Sequence, residues 1–504
     1  MAIGQHPTRS LECAAALAMA IGIANSAHAR PQPAGHIELQ PRTIRHSAGV
    51  YQAEIGHLSV LENRSQPGSR TIEIAVGRIK STSDKPGAPI VYLAGGPGSS
   101  ATAMASSPQW AELLEIADVI LVDQRGIGRS RPALSWAPEG LDPSPIFLSA
   151  ESALETEKEA ARLAREHFER EGVDLSGYNT AENAADFDDL RQALGCDKMS
   201  LMGHSYGTHL AQEIVRRFPG SVDRVILIGT AGMNDMYALP AELDDRFARL
   251  SALVAADPSI GGQIPDLIAL FNRVRARLRD APARVAVSHP QTKAPVDILV
   301  GEAGIRFIIL RDMGDVSDIP VLPRLLFDID RGDTRLLGWF VQKRYEQMRT
   351  VPTLTWVMRG ASSATAERWA MIERQAPASL FGKARCWPPR ELFPILGIPD
   401  LGDEFRAPVR SDVPALFISG ALDANTPPEQ AEAVRTGFSN SGHLIVENGG
   451  HEDLTLHEPV RSAMMSFLRT GKAKSERVRA LSLRFVPLDG DVSWFEHPAL
   501  NSLR

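Results

Sequence analysis

Residues 199–202 form a short apolar run that enters Gly203-His204-Ser205-Tyr206-Gly207, and helical spacing then continues to Arg217. Few local patterns constrain a chain more. A strand that turns sharply into a helix, with glycine two places either side of a serine, holds that serine in a strained backbone conformation. The serine hydroxyl is then presented at the carboxyl end of a strand, where the free N–H groups of the next helix face it. A bare G-x-S-x-G occurs by chance in many chains; the strand before it and the helix after it make this one specific.

The same rhythm recurs along the chain. Apolar strands at residues 89–93, 119–122, 225–228, 415–419 and 444–447 alternate with helical segments at 151–171, 181–194, 429–436 and 459–468. Two more strands, at 52–61 and 71–78, flank the turn Gln66-Pro67-Gly68-Ser69. This pattern predicts an α/β fold with a mostly parallel sheet and helices on both faces. The alternation breaks between residues 234 and 407, a helix-rich stretch of roughly 170 residues that reads as an inserted cap. The expected division is a signal peptide at 1–29, a catalytic core in two parts at 35–233 and 408–471, a mainly helical cap at 234–407, and a C-terminal tail at 472–504.

The leader expectation rests on Arg9, an apolar run over residues 11–24 interrupted by Glu12, and Ala27-His28-Ala29 as a small-x-small cleavage signal. The run is too short to span a bilayer comfortably, so export without a membrane anchor is expected. Asp and Glu total 61 against 54 Lys and Arg, which argues against nucleic-acid binding, since that requires a basic face. Of three cysteines, Cys196 and Cys386 remain once the leader is removed, and two in so long a chain do not demand a disulfide. No Cys/His cluster has metal-ligand spacing, so neither a metal nor a cofactor is expected.

A serine at neutral pH needs a base, and the base needs an orienting acid. In an open α/β sheet both must come from loops at the carboxyl ends of other strands. Asp423 follows the strand at 415–419, and His451 follows the strand at 444–447 through Asn448-Gly449-Gly450. The chain order Ser205, Asp423, His451 suits this arrangement. Among the 13 histidines, His443 begins a strand and falls at the wrong edge, the His204 side chain should leave the turn in another direction, and His457 is expected on the following helix. Asp403 and Glu404 follow no strong strand. An oxyanion needs preorganised donors. Tyr206 N–H is one candidate and Gly96 N–H, within Gly95-Gly96-Pro97-Gly98, is the other, with a cis Gly96–Pro97 bond turning the chain. Asp123 and Arg125 are expected to brace a neighbouring loop.

Together, Gly95-Gly96-Pro97-Gly98, Asp123-Gln124-Arg125-Gly126-Ile127-Gly128-Arg129-Ser130, Gly203-His204-Ser205-Tyr206-Gly207-Thr208 and the 419–427 segment ending in Thr426-Pro427 resemble the proline iminopeptidase and tripeptidyl aminopeptidase family of α/β-hydrolases. Gly56-His57-Leu58-Ser59-Val60 and Gly332-Asp333 are looser matches. The resemblance implies an α/β-hydrolase fold and hydrolysis of short peptides from a free N-terminus, with cap carboxylates gripping the substrate ammonium. Candidate cap acids are Glu302, Glu346, Glu367 and Glu373. The chain departs from the family pattern at Met358-Arg359-Gly360, where secreted members resemble one another in a Cys-x-Glu segment, at Ile55 in place of a cysteine, and at Ala94 in place of a histidine. The expected activity is therefore acyl transfer to water through a Ser205 ester, on short peptides. A carboxylic-ester hydrolase with the same triad and a non-catalytic binding protein on this fold are the alternatives.

Overall fold

A computed structural model describes residues 32–314, 316–479 and 483–490. The expected signal peptide at 1–29 lies outside them. In chain order the strands are β1 (Ile37–His46), β2 (Gly49–Leu61), β3 (Thr71–Ile79), β4 (Ile90–Leu93), β5 (Val119–Val122), β6 (Ser135–Trp136), β7 (Met199–His204), β8 (Val222–Ile228), β9 (Ala283–Ser288), β10 (Pro295–Val300), β11 (Val351–Pro352), β12 (Ala415–Gly420), β13 (Ser441–Glu447) and β14 (Glu476–Arg479). Ten of these form one sheet, ordered β1-β2-β3-β5-β4-β7-β8-β12-β13-β14. The β1–β2, β2–β3 and β3–β5 pairs are antiparallel, and every pair from β5–β4 to β13–β14 is parallel. Consequently β4, β7, β12 and β13 all end at one edge.

The sequence explains why these strands lie inside. Every residue of β5 (VILV) and of β12 (ALFISG) is buried, as expected where helices cover both faces. One face carries a core that includes Phe187, Leu210, Ile214 and Phe417; the other packs Ile226 and Ile418 on Met464 and Phe467 of the helix Glu458–Thr470. The helix Thr180–Ala193 starts at Asn179, whose side chain accepts from the Glu182 N–H at 2.9 Å, a normal N-terminal cap.

The stretch 234–407 divides by packing. Helices Pro240–Ala256, Leu267–Asp280, Glu302–Asp312, Leu322–Asp330 and Arg335–Met348 share a core of their own around Phe247, Phe271 and Phe340. The antiparallel β9–β10 hairpin lies within it. The next helices, Thr353–Ser362 and Ala366–Gln375, instead place Trp356, Met358 and Trp369 in the core of the main sheet, with Tyr206. β11 anchors this return by pairing antiparallel with β6. Beyond Gly471, where the sequence offers no reading, β14 adds a parallel edge strand to β13.

Candidate active site

β7 delivers Ser205 to the edge where the parallel strands end. Its backbone sits at φ 54° and ψ −121°, the strained conformation required by the turn. A Cβ built on Gly207 would lie 1.9 Å from the Leu93 carbonyl oxygen, so no larger residue lets the helix Tyr206–Arg217 approach β4. Ser205 is half-buried and faces a small cleft that Gly96 and Tyr206 also border. Gly96 adopts φ 109°, accessible to glycine, and its bond to Pro97 is cis. Among the described residues, no carbonyl accepts the Gly96 or Tyr206 N–H.

Asp423 and His451 come together at the same edge. Asp423 Oδ2 lies 2.7 Å from His451 Nδ1. The carboxylate is completely buried and also accepts from Asn425 N–H at 2.7 Å, Thr426 N–H at 2.9 Å and the Thr426 hydroxyl at 2.8 Å. Burial alone would raise its pKa, but the neighbouring imidazole and these donors hold it below the ordinary value. For His451, burial disfavours the imidazolium, yet the facing Asp423 carboxylate wins and raises the pKa. His204 lies against His451, with ring centroids 5.0 Å apart and Nε2 at 3.0 Å from the His451 carbonyl oxygen. The His204 ring thus turns toward the His451 loop and braces it, a role the sequence does not disclose. Among the described residues, the Ser205 hydroxyl forms no hydrogen bond with His451. Such bonds are often long in a free enzyme and tighten only when substrate binds.

The remaining candidates fall elsewhere. Asp123 is buried and accepts from the Ser100 hydroxyl, Thr102 N–H and hydroxyl, and Arg129 N–H, which closes the loop behind Gly96. Arg125 is buried against Asp186 at 2.7 Å and donates to the Glu62 carbonyl. His443 reaches the Ser419 hydroxyl, His457 pairs with Asp453, and Asp403 pairs with Arg406. None of the four cap acids Glu302, Glu346, Glu367 and Glu373 borders the cleft. Glu302 is tied to Arg275 and Arg306, and Glu373 to Lys383. Cys196 and Cys386 are free thiols. The potential metal-ligand group among the described residues is His204, His451 and Glu452, with ligand atoms within 4.8 Å of one another. It contains the imidazole that faces Asp423, and His204 Nε2 already meets a carbonyl.

Residues 88–263 match the alpha/beta hydrolase fold family, and residues 400–479 match the TAP-like protein family. The first match includes the elbow and runs into the start of the cap, and the second begins at its end and includes Asp423 with His451. The chain is an α/β-hydrolase. It is 32% identical over 186 residues to a tripeptidyl aminopeptidase of Streptomyces coelicolor, covering 34% of each chain. It is 30% identical over 206 residues to the serine protease Hip1 of Mycobacterium tuberculosis, covering 38% of each. Carboxylesterase B of the same species is 32% identical over 161 residues, covering 30% of this chain and 31% of that one. The matched stretches therefore span about a third of each relative.

The cleft of this α/β-hydrolase holds charges that sequence spacing does not reveal. Asp235, Arg359 and Arg385 border it beside Ser205. Asp235 is tied to Arg368 at 2.7 Å. Arg359 donates to the carbonyls of Trp387, at 2.9 Å, and of Met236. Thr426, within 3.2 Å of His451 Nδ1, is the one addition with a readable signal, because Asp-x-x-Thr places a hydroxyl and an N–H over the same carboxylate.

Proposed function

We propose that this α/β-hydrolase is an exported serine hydrolase that cleaves short peptides through an ester on Ser205. The single observation behind it is the 2.7 Å contact between Asp423 and His451 at the sheet edge where the elbow presents Ser205. With Nδ1–H donated to Asp423, Nε2 is left as the lone-pair nitrogen. His451 takes the Ser205 proton as the oxygen attacks the carbonyl carbon, and returns it to the leaving group as the acyl bond breaks. The N–H groups of Gly96 and Tyr206 receive the negative charge that develops on the carbonyl oxygen. Water, activated by the same imidazole, then releases the acid. Export is supported by the leader pattern; among the described residues, no helix is long and apolar enough to cross a membrane.

A second reading, a carboxylic-ester hydrolase with the same machinery, is favoured by the cleft itself. Gripping a peptide's free ammonium calls for an unpaired carboxylate, and Asp235 already holds Arg368. A screen of aminoacyl and tripeptidyl arylamides beside short-chain aryl esters separates the two. Cleavage of amides that is lost on N-acetylation supports the aminopeptidase, whereas ester turnover without amide turnover supports the esterase. Fluorophosphonate labelling should be strong in the native protein and absent in Ser205→Ala. Equal labelling of both would remove Ser205 as nucleophile.

A further inference from the structure

The guanidinium of Arg385 borders the cleft beside Ser205, and among the described residues it has neither a hydrogen-bond partner nor a carboxylate within ion-pair distance. Arg359 borders the same space and, among the described residues, meets backbone carbonyls and the Tyr237 ring, whose centroid lies 5.8 Å from Cζ. A third cation, Arg311, does not border the cleft and is exposed near the end of the cap helix Glu302–Asp312. Desolvation pushes the Arg385 pKa down to about 9, and the charges of Arg359 and Arg311 add to the effect. Arg385 and Arg359 remain cationic at neutral pH, in a space whose bordering carboxylate among the described residues, Asp235, is spoken for by Arg368.

Arg385 and Arg359 are half-buried, and even a partly desolvated charge without a counter-ion is costly, so proteins ordinarily pair it. Two guanidiniums bordering one cleft make the cost larger, and Arg385 brings its N–H donors there without an acceptor among the described residues. Arginine forks match the two oxygens of a carboxylate. Arg385 also lies close enough to Asp423 and His451 to affect the charge on both. An anion held there would sit beside the reacting bond.

Resting on the proposed Ser205 chemistry, we infer that Arg385 and Arg359 form an anion subsite that selects substrates bearing a carboxylate near the scissile bond. The carboxylate is carried either by the acyl group, as in a dicarboxylic monoester, or by the leaving group, as at the C-terminus of a short peptide. The recognised charge on the substrate is thus negative, where the family resemblance implies a gripped ammonium.

The test compares matched substrates on the full chain. One pair is mono-p-nitrophenyl glutarate and its methyl ester; the other is a dipeptide with a free or amidated C-terminus. At least a tenfold preference in kcat/KM for the acidic member of one pair is expected, and the pair showing it identifies which side carries the charge. In Arg385→Gln and Arg359→Gln that ratio should fall at least tenfold, with Arg385→Lys in between. If Arg385 acted instead on the oxyanion, rates for acidic and neutral members would fall together and the ratio would stand, which overturns the inference. Equal use of both members by the native protein overturns it as well. Glutarate binding by calorimetry supplies an arm independent of turnover. Binding by the native chain that is lost in Arg385→Gln supports the subsite even if fluorophosphonate labelling fails, whereas no glutarate binding together with no acidic preference ends it. Thermal melting guards against misfolding: removal of an unpartnered charge should raise Tm in ligand-free protein, and a marked fall would mark the arginine as structural.

Discussion

His451 is squeezed between two opposing influences, and its titration is where they become measurable. Burial disfavours its charged form, while Asp423 favours it and prevails, so its pKa stands above the ordinary 6.5. In the proposed mechanism only the neutral imidazole can accept the Ser205 proton. Activity must therefore rise with pH through that raised pKa, and kcat/KM should show an acid limb centred above 6.5. Asp423→Asn removes the attraction and leaves burial, moving the limb down, while loss of the orienting acceptor lowers kcat by about 10⁴-fold. A limb unmoved by the substitution would detach Asp423 from His451. Ser205, Asp423 and His451 are legible in the sequence because each follows an apolar strand by a few residues. His204, Arg359 and Arg385 are not, since their roles depend on where the His451 loop and the 385–388 loop fold back. No spacing rule encodes those approaches.

Elements differ in how plainly they announce themselves. β5 and β12 read as strands because they are short runs that are apolar but for Ser419 and Gly420 and buried throughout, whereas β1, with the burial pattern of a half-exposed edge and the sequence IELQPRTIRH, has no clean alternation. The β9–β10 hairpin is masked in the same way by its exposed Arg284 and Asp297, and the region reads as helical. The helix Ala150–Arg170 is legible, yet its buried Glu157 is not. That carboxyl accepts the Trp387 indole N–H at 2.6 Å. Burial raises its pKa to about 7, against the modest opposing effect of the Trp387 bond. A folded-state pKa above the unfolded one means stability is full below about 4.5 and is lost as pH rises toward 7. The loss amounts to about 3 kcal/mol at most. Glu157→Gln keeps an acceptor for the indole and removes the titration. Its Tm at pH 8 should exceed that of the native chain by a few degrees, with no such gain at pH 4.5. An equal shift at both pH values would rule out ionisation as the cause.

At the scale of the whole molecule, the question is what keeps the cap core aligned with a sheet that has its own core. Part of the answer lies in loops: the His451 N–H donates to the Gly314 carbonyl at 2.7 Å, so the cap touches the very loop that presents the imidazole. A second link comes from the C-terminal segment, whose polar, four-residue β14 carries too little apolar signal to be read as a strand. β14 extends the main sheet, with Val478 opposite Val446. A few residues later the same chain lies on the cap, where Phe485 and Leu488 enter its core. Val486 N–H donates to the Pro320 carbonyl at 3.1 Å, and Arg324 donates to the Pro487 carbonyl at 2.6 Å. The segment is thus a strap from sheet edge to cap. Deleting an aromatic from such a core costs about 3 kcal/mol. Phe485→Ala should therefore loosen the cap before the sheet: limited proteolysis should cut first within residues 240–348, and the melting profile should gain an early transition. Cleavage and melting indistinguishable from the native protein would mean that loop contacts alone, centred on Gly314 and His451, hold the cap in register with the site.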